Sequence, residues 1–322
     1  MKTVSKAQVF QSTCAPNLEF LKGVSNLNSY NKLSDRYPFL KALPFLLPFA
    51  VVYAVFLIYP IFRGFWMSLH RWTMIRNMGF VGFDNYLYMI KDPAFWESLG
   101  NTLLFVLIST PTIVIGGLVL ALLANQKIKG QLFIKISFFL PYVLSVAVIS
   151  SIMVYFFQPH SGLLNGILQS YFGVEETIFW LGETKLAWFV IVFATLWWTV
   201  GFNMILYLAA LQDIPQSFYE AAEVDGATKL QQLLYITLPS LKPITWVVTL
   251  LQIIFSFKIF SQVWLITGGG PGTDTRPIVQ YIYETSFKQN SMGYGAAMAF
   301  SFFIILVLVS MLQIYLRSRE EG

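Results

Sequence analysis

The segment from Asp213 to Pro239 holds the densest group of residues able to make specific contacts. It carries Glu220-Ala221-Ala222, then Asp225-Gly226-Ala227, then Ile236-Thr237-Leu238-Pro239. Pro215 stands where a helix can start, and Ser217 can cap it with Glu220 three residues on. Two short helices are expected, Gln216 to Val224 and Thr228 to Tyr235, with Gly226 at the turn between them. Ala221, Ala222, Gly226 and Ala227 leave room for another surface, and Phe218, Tyr219, Leu230, Leu233 and Leu234 supply apolar knobs. A rigid hairpin of this kind suits insertion into a partner's groove. A hairpin that packs only on its own chain is the alternative.

A second set of residues is polar inside otherwise apolar stretches, where polar groups are costly. Thr195, Thr199, Asn203 and Tyr207 recur every four residues, and Trp197 and Trp198 beside them offer flat surfaces for stacking on sugar rings. Thr245, Thr249, Gln252 and Ser256 form a second stripe, and Ser151 and Tyr155 a third. Two readings stand: a wet cavity lined by these stripes, or hydrogen bonds between helices. Lys258 is a cation inside an apolar run, eight residues and about 12 Å from its end on a straight helix. It is either a structural lysine snorkelling to the surface or a cavity cation that would favour an anionic cargo.

Other chemistry is missing from the sequence. His70 and His160 have no cysteine or carboxylate at metal spacing, and no nucleophile-base pair appears, so no catalytic residue or metal site is assigned. The run Gly268-Gly269-Gly270-Pro271-Gly272 has the glycine content of a phosphate loop but lacks the lysine and helix start. It reads as a turn or a contact surface. Cys14 is the single cysteine and cannot form an intrachain disulfide.

The elements that must position these residues follow from composition. Of 322 residues, 56% are apolar and 11% charged, against roughly 25% charged in soluble domains. A polytopic, all-α membrane protein is expected. A bilayer core of about 30 Å needs about 20 apolar helical residues. Six stretches qualify: Leu43 to Leu69, Leu99 to Ala124, Ile136 to Phe157, Leu186 to Leu211, Pro243 to Ile266 and Ala296 to Leu316. Residues 1–42 are expected as a polar tail, residues 43–316 as the membrane domain with the hairpin loop at 212–242, and 317–322 as a second tail. Thirteen lysines and arginines fall in the tails and the connections on their side, and six on the other. That bias expects both termini in the cytoplasm. The formal charge of +5 fits an anionic membrane surface rather than nucleic acid. Trp66, Trp72, Trp96, Trp180 and Trp188 fall near the boundaries and are expected as interfacial anchors.

The hairpin resembles the EAA loop of binding-protein-dependent ABC importer permeases, in which Glu-Ala-Ala is followed by Asp-Gly-Ala and Ile-x-Leu-Pro. The similarity extends over about residues 40 to 316 through Gly82-Phe83-Asp84-Asn85-Tyr86, Asn101-Thr102, Phe139-Leu140-Pro141, Thr267-Gly268-Gly269-Gly270-Pro271 and Gly293-Tyr294-Gly295-Ala296-Ala297-Met298-Ala299. Together these resemble the carbohydrate-uptake branch, the permeases for oligosaccharides, polyols and glycerol phosphate.

The resemblance implies a permease that forms half of a pore in a bacterial inner membrane and is not itself an enzyme. ATP and magnesium would be bound by a partner ATPase dimer. This agrees with the lack of a Gly-x-x-x-x-Gly-Lys-Ser/Thr sequence here. By position, Glu220 would be the charged anchor of a coupling helix, Ala221 and Ala222 its contact surface, and Gly226 its turn. Asp225, Ala227, Leu238 and Pro239 complete the loop. A second permease, a solute-binding protein and a sugar substrate are the other implied partners. The alternatives from other classes are a membrane enzyme acting on lipid or sugar carriers, and a channel or secondary transporter. The first would need clustered Asp, Glu or His at the membrane face. The second would favour carboxylates within the spans, and no span contains one.

Overall fold

The computed structural model describes residues 39–126 and 130–321, with side chains from 45 to 126 and from 130 to 319. The expected tail as far as residue 38, with Cys14, and the connection residues Lys127 and Lys129 lie outside the described residues. The chain divides into two units at Arg63. The first holds α1 (Phe39–Tyr53), a π-helical turn at Ala54–Ile58 and the start of α2 (Tyr59–Ser68). Its described side chains are exposed, and Phe45–Ser68 has a mean hydropathy of 2.3, as a lipid-facing span requires.

In the second unit an antiparallel pair, β1 (His70–Trp72) and β2 (Asn77–Phe80), precedes α3 (Asp84–Lys91). Asp92 then caps α4 (Pro93–Ala124), accepting the Ala94 N–H at 3.0 Å, with Pro93 in the first helical position. Span three is broken: α5 (Gln131–Val143) and α6 (Val146–Phe156) meet at 101°. Pro141 sits in the last turn of α5, Leu144 is extended, and the Ser145 hydroxyl accepts the Val148 N–H to restart the helix. This corrects the expected single helix from Ile136 to Phe157. Pro141 lies in the last turn of one helix and Ser145 caps the start of the next.

After α7 (Leu163–Phe172), α8 (Thr184–Gln212) crosses as one piece, and α9 (Gln216–Val224) forms the first limb of the hairpin. The second limb joins α10 (Lys229–Gln232), a π-helical turn at Leu233–Thr237 and α11 (Leu238–Ser240). It turns by 60° into α12 (Lys242–Phe257). α12 stops at Phe257, and α13 (Ser261–Ile266) follows as a separate helix, so the expected span from Pro243 to Ile266 is also corrected. α14 (Ile278–Tyr283), a π-helical turn at Glu284–Lys288 and α15 (Met292–Glu321) complete the chain. Among the described residues four helices can cross a bilayer alone, and six spans result when each bent pair counts as one. The all-α polytopic class is therefore observed.

The core of this unit is α8 packed on α4, with α5 and α12 against them. Close approach is set by glycine. A Cβ on Gly117 of α4 would lie 2.7 Å from the Asn203 Cβ of α8. One on Gly201 of α8 would lie 2.0 Å from the Phe138 carbonyl of α5. Small residues serve this purpose in lipid, where helices gain nothing from hiding apolar surface and associate through close packing. Trp188, expected at the interface, is instead buried. It stacks on Phe105 at 6.0 Å in a cluster with Ile191, Ile259 and Val263.

Replacing Gly201 by Ala should destabilise the folded chain by about 1–3 kcal/mol through overpacking, seen as a lower thermal midpoint of the solubilised transporter. Gly100→Ala, where no atom lies within 4 Å of the added carbon, should cause no such loss. Equal midpoints for the two variants would show that α5 and α8 do not meet at Gly201.

Candidate functional site

The two helix breaks face the same cavity, of about 480 Å³. Tyr142 and Val146 line it from either side of the break between α5 and α6. Lys258, Ile259 and Phe260 line it from the break after α12, and Ser261 and Gln262 from α13. Between them stand Thr195, Trp198, Thr199 and Phe202 of α8, Phe105 of α4, and Gln252, Phe255 and Ser256 of α12. Irregular backbone at membrane depth is tolerated where it lines such a cavity. Trp198 Nε1 donates to the Leu144 carbonyl at 3.2 Å, occupying an acceptor that the break leaves without a helical partner. Lys258 N–H donates to the Phe255 carbonyl at 3.2 Å in the closing turn of α12.

Lys258 is therefore not deep in a continuous helix. It is the residue at which α12 ends, and its side chain is exposed. The 12 Å depth expected on a straight helix does not apply. Helix termination places the ammonium at the negative end of the α12 macrodipole, where a cation is favoured. Its Nζ lies 5.6 Å from the Phe255 ring, and no carboxylate pairs with it among the described residues.

Of the residues expected along a substrate path, Thr195, Trp198, Thr199, Gln252, Ser256 and Lys258 line this cavity. Asn203 is buried behind it, where its Nδ2 donates to Gln252 Oε1 at 3.1 Å. Gln252 Nε2 in turn donates to Ser256 Oγ at 3.1 Å, and Ser256 shares a 3.0 Å hydrogen bond with Ser109 of α4. One polar chain thus ties α8, α12 and α4 together. It fixes the amide of Gln252 and combines the two readings of these stripes, glue and lining. Tyr207 is fully buried in the α4–α8–α12 core, and Trp197 packs beside Met153 and Ala194. Ser151 and Tyr155 are exposed on α6, outside the cavity. The sequence reading missed Tyr142, Phe202, Ser261 and Gln262. Tyr142 and Phe202 stack at 4.9 Å and 17°, and the Gln262 side-chain nitrogen has no partner among the described residues. The polar pair Ser261-Gln262 just after Lys258 was a legible sign that the apolar helix is interrupted there.

The hairpin lies on the other side of the α8 and α12 bundle from these breaks. α9 has no buried residue. Glu220, Ala221, Asp225, Gly226 and Pro239 are exposed, while Ala222, Ala227 and Leu238 are half-buried. Gly226 has φ +80°, the left-handed conformation that closes α9, with Ala227 N–H donating to the Ala222 carbonyl at 2.8 Å. Nothing lies within 4 Å of where its Cβ would be, so backbone conformation rather than crowding demands glycine. Ser217 does not cap α9. Pro215 occupies the N-cap position without a side-chain bond, and the capping box is at Thr228 and Gln231, opening the second limb. The expected second helix from Thr228 to Tyr235 is observed as Lys229–Gln232 running into the π-helical turn. The limbs are joined by Tyr219 and Thr237, whose hydroxyls lie 2.9 Å apart, and by Lys229 and Glu223 at 2.5 Å. Hydrogen bonding and charge from Lys229 hold the Glu223 carboxyl below its ordinary range.

At the far end from the hairpin, the buried Asp92 accepts hydrogen bonds from Tyr281 at 2.6 Å and Tyr294 at 2.5 Å. This joins the start of α4 to α14 and α15. Burial, reinforced by the Asp92 carboxylate, pushes the Tyr281 hydroxyl up to about 12. His70 is buried, with a ring nitrogen 2.8 Å from the Trp66 carbonyl.

The fold is that of a polytopic helical membrane protein with a cavity at two interrupted helices, and sequence comparison gives the family. Residues 94–321 match the model of the binding-protein-dependent transport system inner membrane component. The chain is 36% identical over 273 residues to the probable ABC transporter permease protein YurN of Bacillus subtilis, covering 84% of this chain and 93% of that one. It is 36% identical over 287 residues to the sulfoquinovosyl glycerol transport system permease protein SmoG of Agrobacterium fabrum, with coverages of 88% and 91%. A chain in the crystal structure of a bacterial ABC transporter involved in the import of the acidic polysaccharide alginate has the same fold. Its TM-score is 0.80 at 24% identity, over 89% of this chain and 98% of that one. The protein therefore belongs to the family of ABC transporter permeases of binding-protein-dependent systems.

Asp92→Ala removes the cap of α4 and strands two buried hydroxyls. It should cost about 1–3 kcal/mol for each unsatisfied group and lower the thermal midpoint more than Tyr281→Phe does. A midpoint equal to that of the unaltered protein would remove the cluster from the account of stability.

Proposed function

We propose that this permease imports a carbohydrate and forms half of a pore driven by a separate ATPase. The observation that carries the reading is the composition of the cavity. Tyr142, Trp198 and Phe202 offer ring faces to sugar C–H groups, while Thr199, Gln252, Ser256 and Gln262 offer hydrogen bonds to hydroxyls. The name of the SmoG relative, a permease for a sugar glycerol, supports the same class. An enzyme acting at the membrane face has no comparable support, because the cavity lining holds no carboxylate or histidine.

The basic residues favour an inner-membrane topology with both termini and the hairpin in the cytoplasm. There α9 would dock in a cleft of an ATPase dimer, with Glu220 as anchor and Ala221 and Ala222 as contact surface. ATP and magnesium would be held by that dimer. A solute-binding protein would deliver cargo at the opposite end, and a second permease, a different chain in this reading, would complete the pore. The cavity would then alternate between the two sides as the hairpins move.

Lys258 narrows the cargo. An ammonium without a carboxylate partner among the described residues, at the edge of a cavity rich in hydrogen-bonding groups, suits a sugar bearing a carboxylate, sulfonate or phosphate. In the reconstituted complex, Lys258→Met should lower transport of such a sugar about tenfold or more, leaving assembly intact and a neutral analogue little affected. Unchanged transport removes Lys258 from the site. Purification should also recover an ATPase and a second permease, and a cysteine at Glu220 should crosslink to the ATPase. Recovery of neither partner would overturn the importer reading.

A further inference from the structure

The cavity does not end at Phe260. Its ring continues into a ladder of aromatic faces that leads away from the hairpin: Phe260 lies 5.9 Å from Trp264 and 5.5 Å from Tyr283. Trp264 and Tyr283 are 5.6 Å apart and nearly perpendicular, and Tyr283 is 5.3 Å from Phe287. The outer rungs are open: Tyr283 is 38% and Phe287 49% exposed. Lys288 stands at the end of the ladder, its Nζ 4.2 Å from the Trp264 ring and 3.5 Å from Glu284.

The π-helical turn at Glu284–Lys288 explains how consecutive residues serve this surface. The extra residue per turn shifts Phe287 and Lys288 relative to Tyr283, and such turns recur at functional sites. An aromatic face meant for lipid tails would not keep an ammonium and a carboxylate against it, since charge there is costly. A surface in contact with water and with a passing polar molecule can keep both.

We propose that Trp264, Tyr283 and Phe287, closed off by Lys288, form a second carbohydrate subsite at the mouth of the cavity. It receives the ring of an oligosaccharide next to the one held beside Lys258. This rests on the carbohydrate reading above and adds to it that the cargo has at least two rings. The occupant follows from continuity, because Phe260 belongs to both the cavity and the ladder. It follows also from chemistry, because tilted ring faces with a nearby cation suit a sugar's apolar face and its polar edge.

The test uses the complete transporter, with its ATPase, second permease and binding protein, in proteoliposomes. Stimulated ATP hydrolysis is measured with monosaccharides and pentasaccharides of two series, maltose-type (glucose and its pentamer) and mannuronate. In Trp264→Leu and Tyr283→Leu the half-saturating concentration should rise about five- to tenfold for the pentasaccharide. It should move less than twofold for the monosaccharide, which leaves the second subsite empty, and Tyr283→Phe, which keeps the ring, should behave as the unaltered protein. Phe287→Leu, at the more exposed position, gives the same reading if either of these variants fails to assemble. Equal shifts for both lengths would make the ladder a docking surface for the binding protein and overturn the subsite, as would no shift. If neither series stimulates the unaltered complex, the carbohydrate reading itself fails, an outcome distinct from a failure of the subsite alone.

Discussion

Backbone polar groups cannot be left unpaired in a bilayer, and this one requirement governs where the chain can interrupt its helices. Both interruptions in the body of the protein occur at the same place, on two sides of one cavity. At the first, the Ser145 hydroxyl caps the new helix and the Trp198 indole takes the Leu144 carbonyl. At the second, the N–H groups of Lys258 and Ile259 fold back on the carbonyls of Phe255 and Ser256 in tight turns. The side chains that repair the backbone are therefore among those that line or border the cavity. Repair and binding surface are made by the same residues, so the cavity is a consequence of how the breaks are stabilised.

Glycine then decides which helices reach the cavity. Gly117 lets Asn203 sit against α4, and only from that position does the Asn203 amide reach Gln252 on α12. Gly201 does the same for α5, which brings Tyr142 to within stacking distance of Phe202. Neither contact rests on apolar burial, which lipid does not reward. Close packing and hydrogen bonds replace it.

Much of this was legible in advance, and the failures share one cause. Apolar length marked six spans, and the turn at Gly226 ended the first hairpin helix at Val224, as the structure has it. Trp198, Thr199, Gln252, Ser256 and Lys258 drew attention because polar or amphipathic groups in apolar stretches are few. What could not be read was the interruption of the helices. Pro141 resembles the proline at Pro111, yet α4 runs through Pro111 unbroken while α5 ends two residues after Pro141. The difference lies in tertiary partners, such as the Phe138 carbonyl pressed onto Gly201, that a linear pattern does not contain. Tyr142 and Phe202 were hidden for the same reason, since on a straight helix they are ordinary apolar-run aromatics. Ser151 and Tyr155 were selected by their spacing on a span that bends by 101°, and they emerge on an exposed face. Ser217 with Glu220 three residues on fits a capping box in sequence, yet the bonded box forms at Thr228 and Gln231.

The hairpin and the cavity are held by the same two helices, which gives a mechanical route between them. α8 passes from Thr199 in the cavity to Gln212 at the start of the hairpin, thirteen residues or about 20 Å of unbroken helix. α12 returns from Lys242 to Ser256, a comparable length. These two arms are cross-linked near the cavity by Asn203 and Gln252 and at the hairpin by the Tyr219–Thr237 pair. In the proposed reading, a load on α9 would reach both arms through these cross-links. Beyond the cross-link the helices are interrupted, after Phe257 and, opposite, between α5 and α6. In the proposed reading, movement of the hairpin would be taken up at the two breaks that bound the cavity, changing its shape while the core of α4, α8 and α12 stays packed.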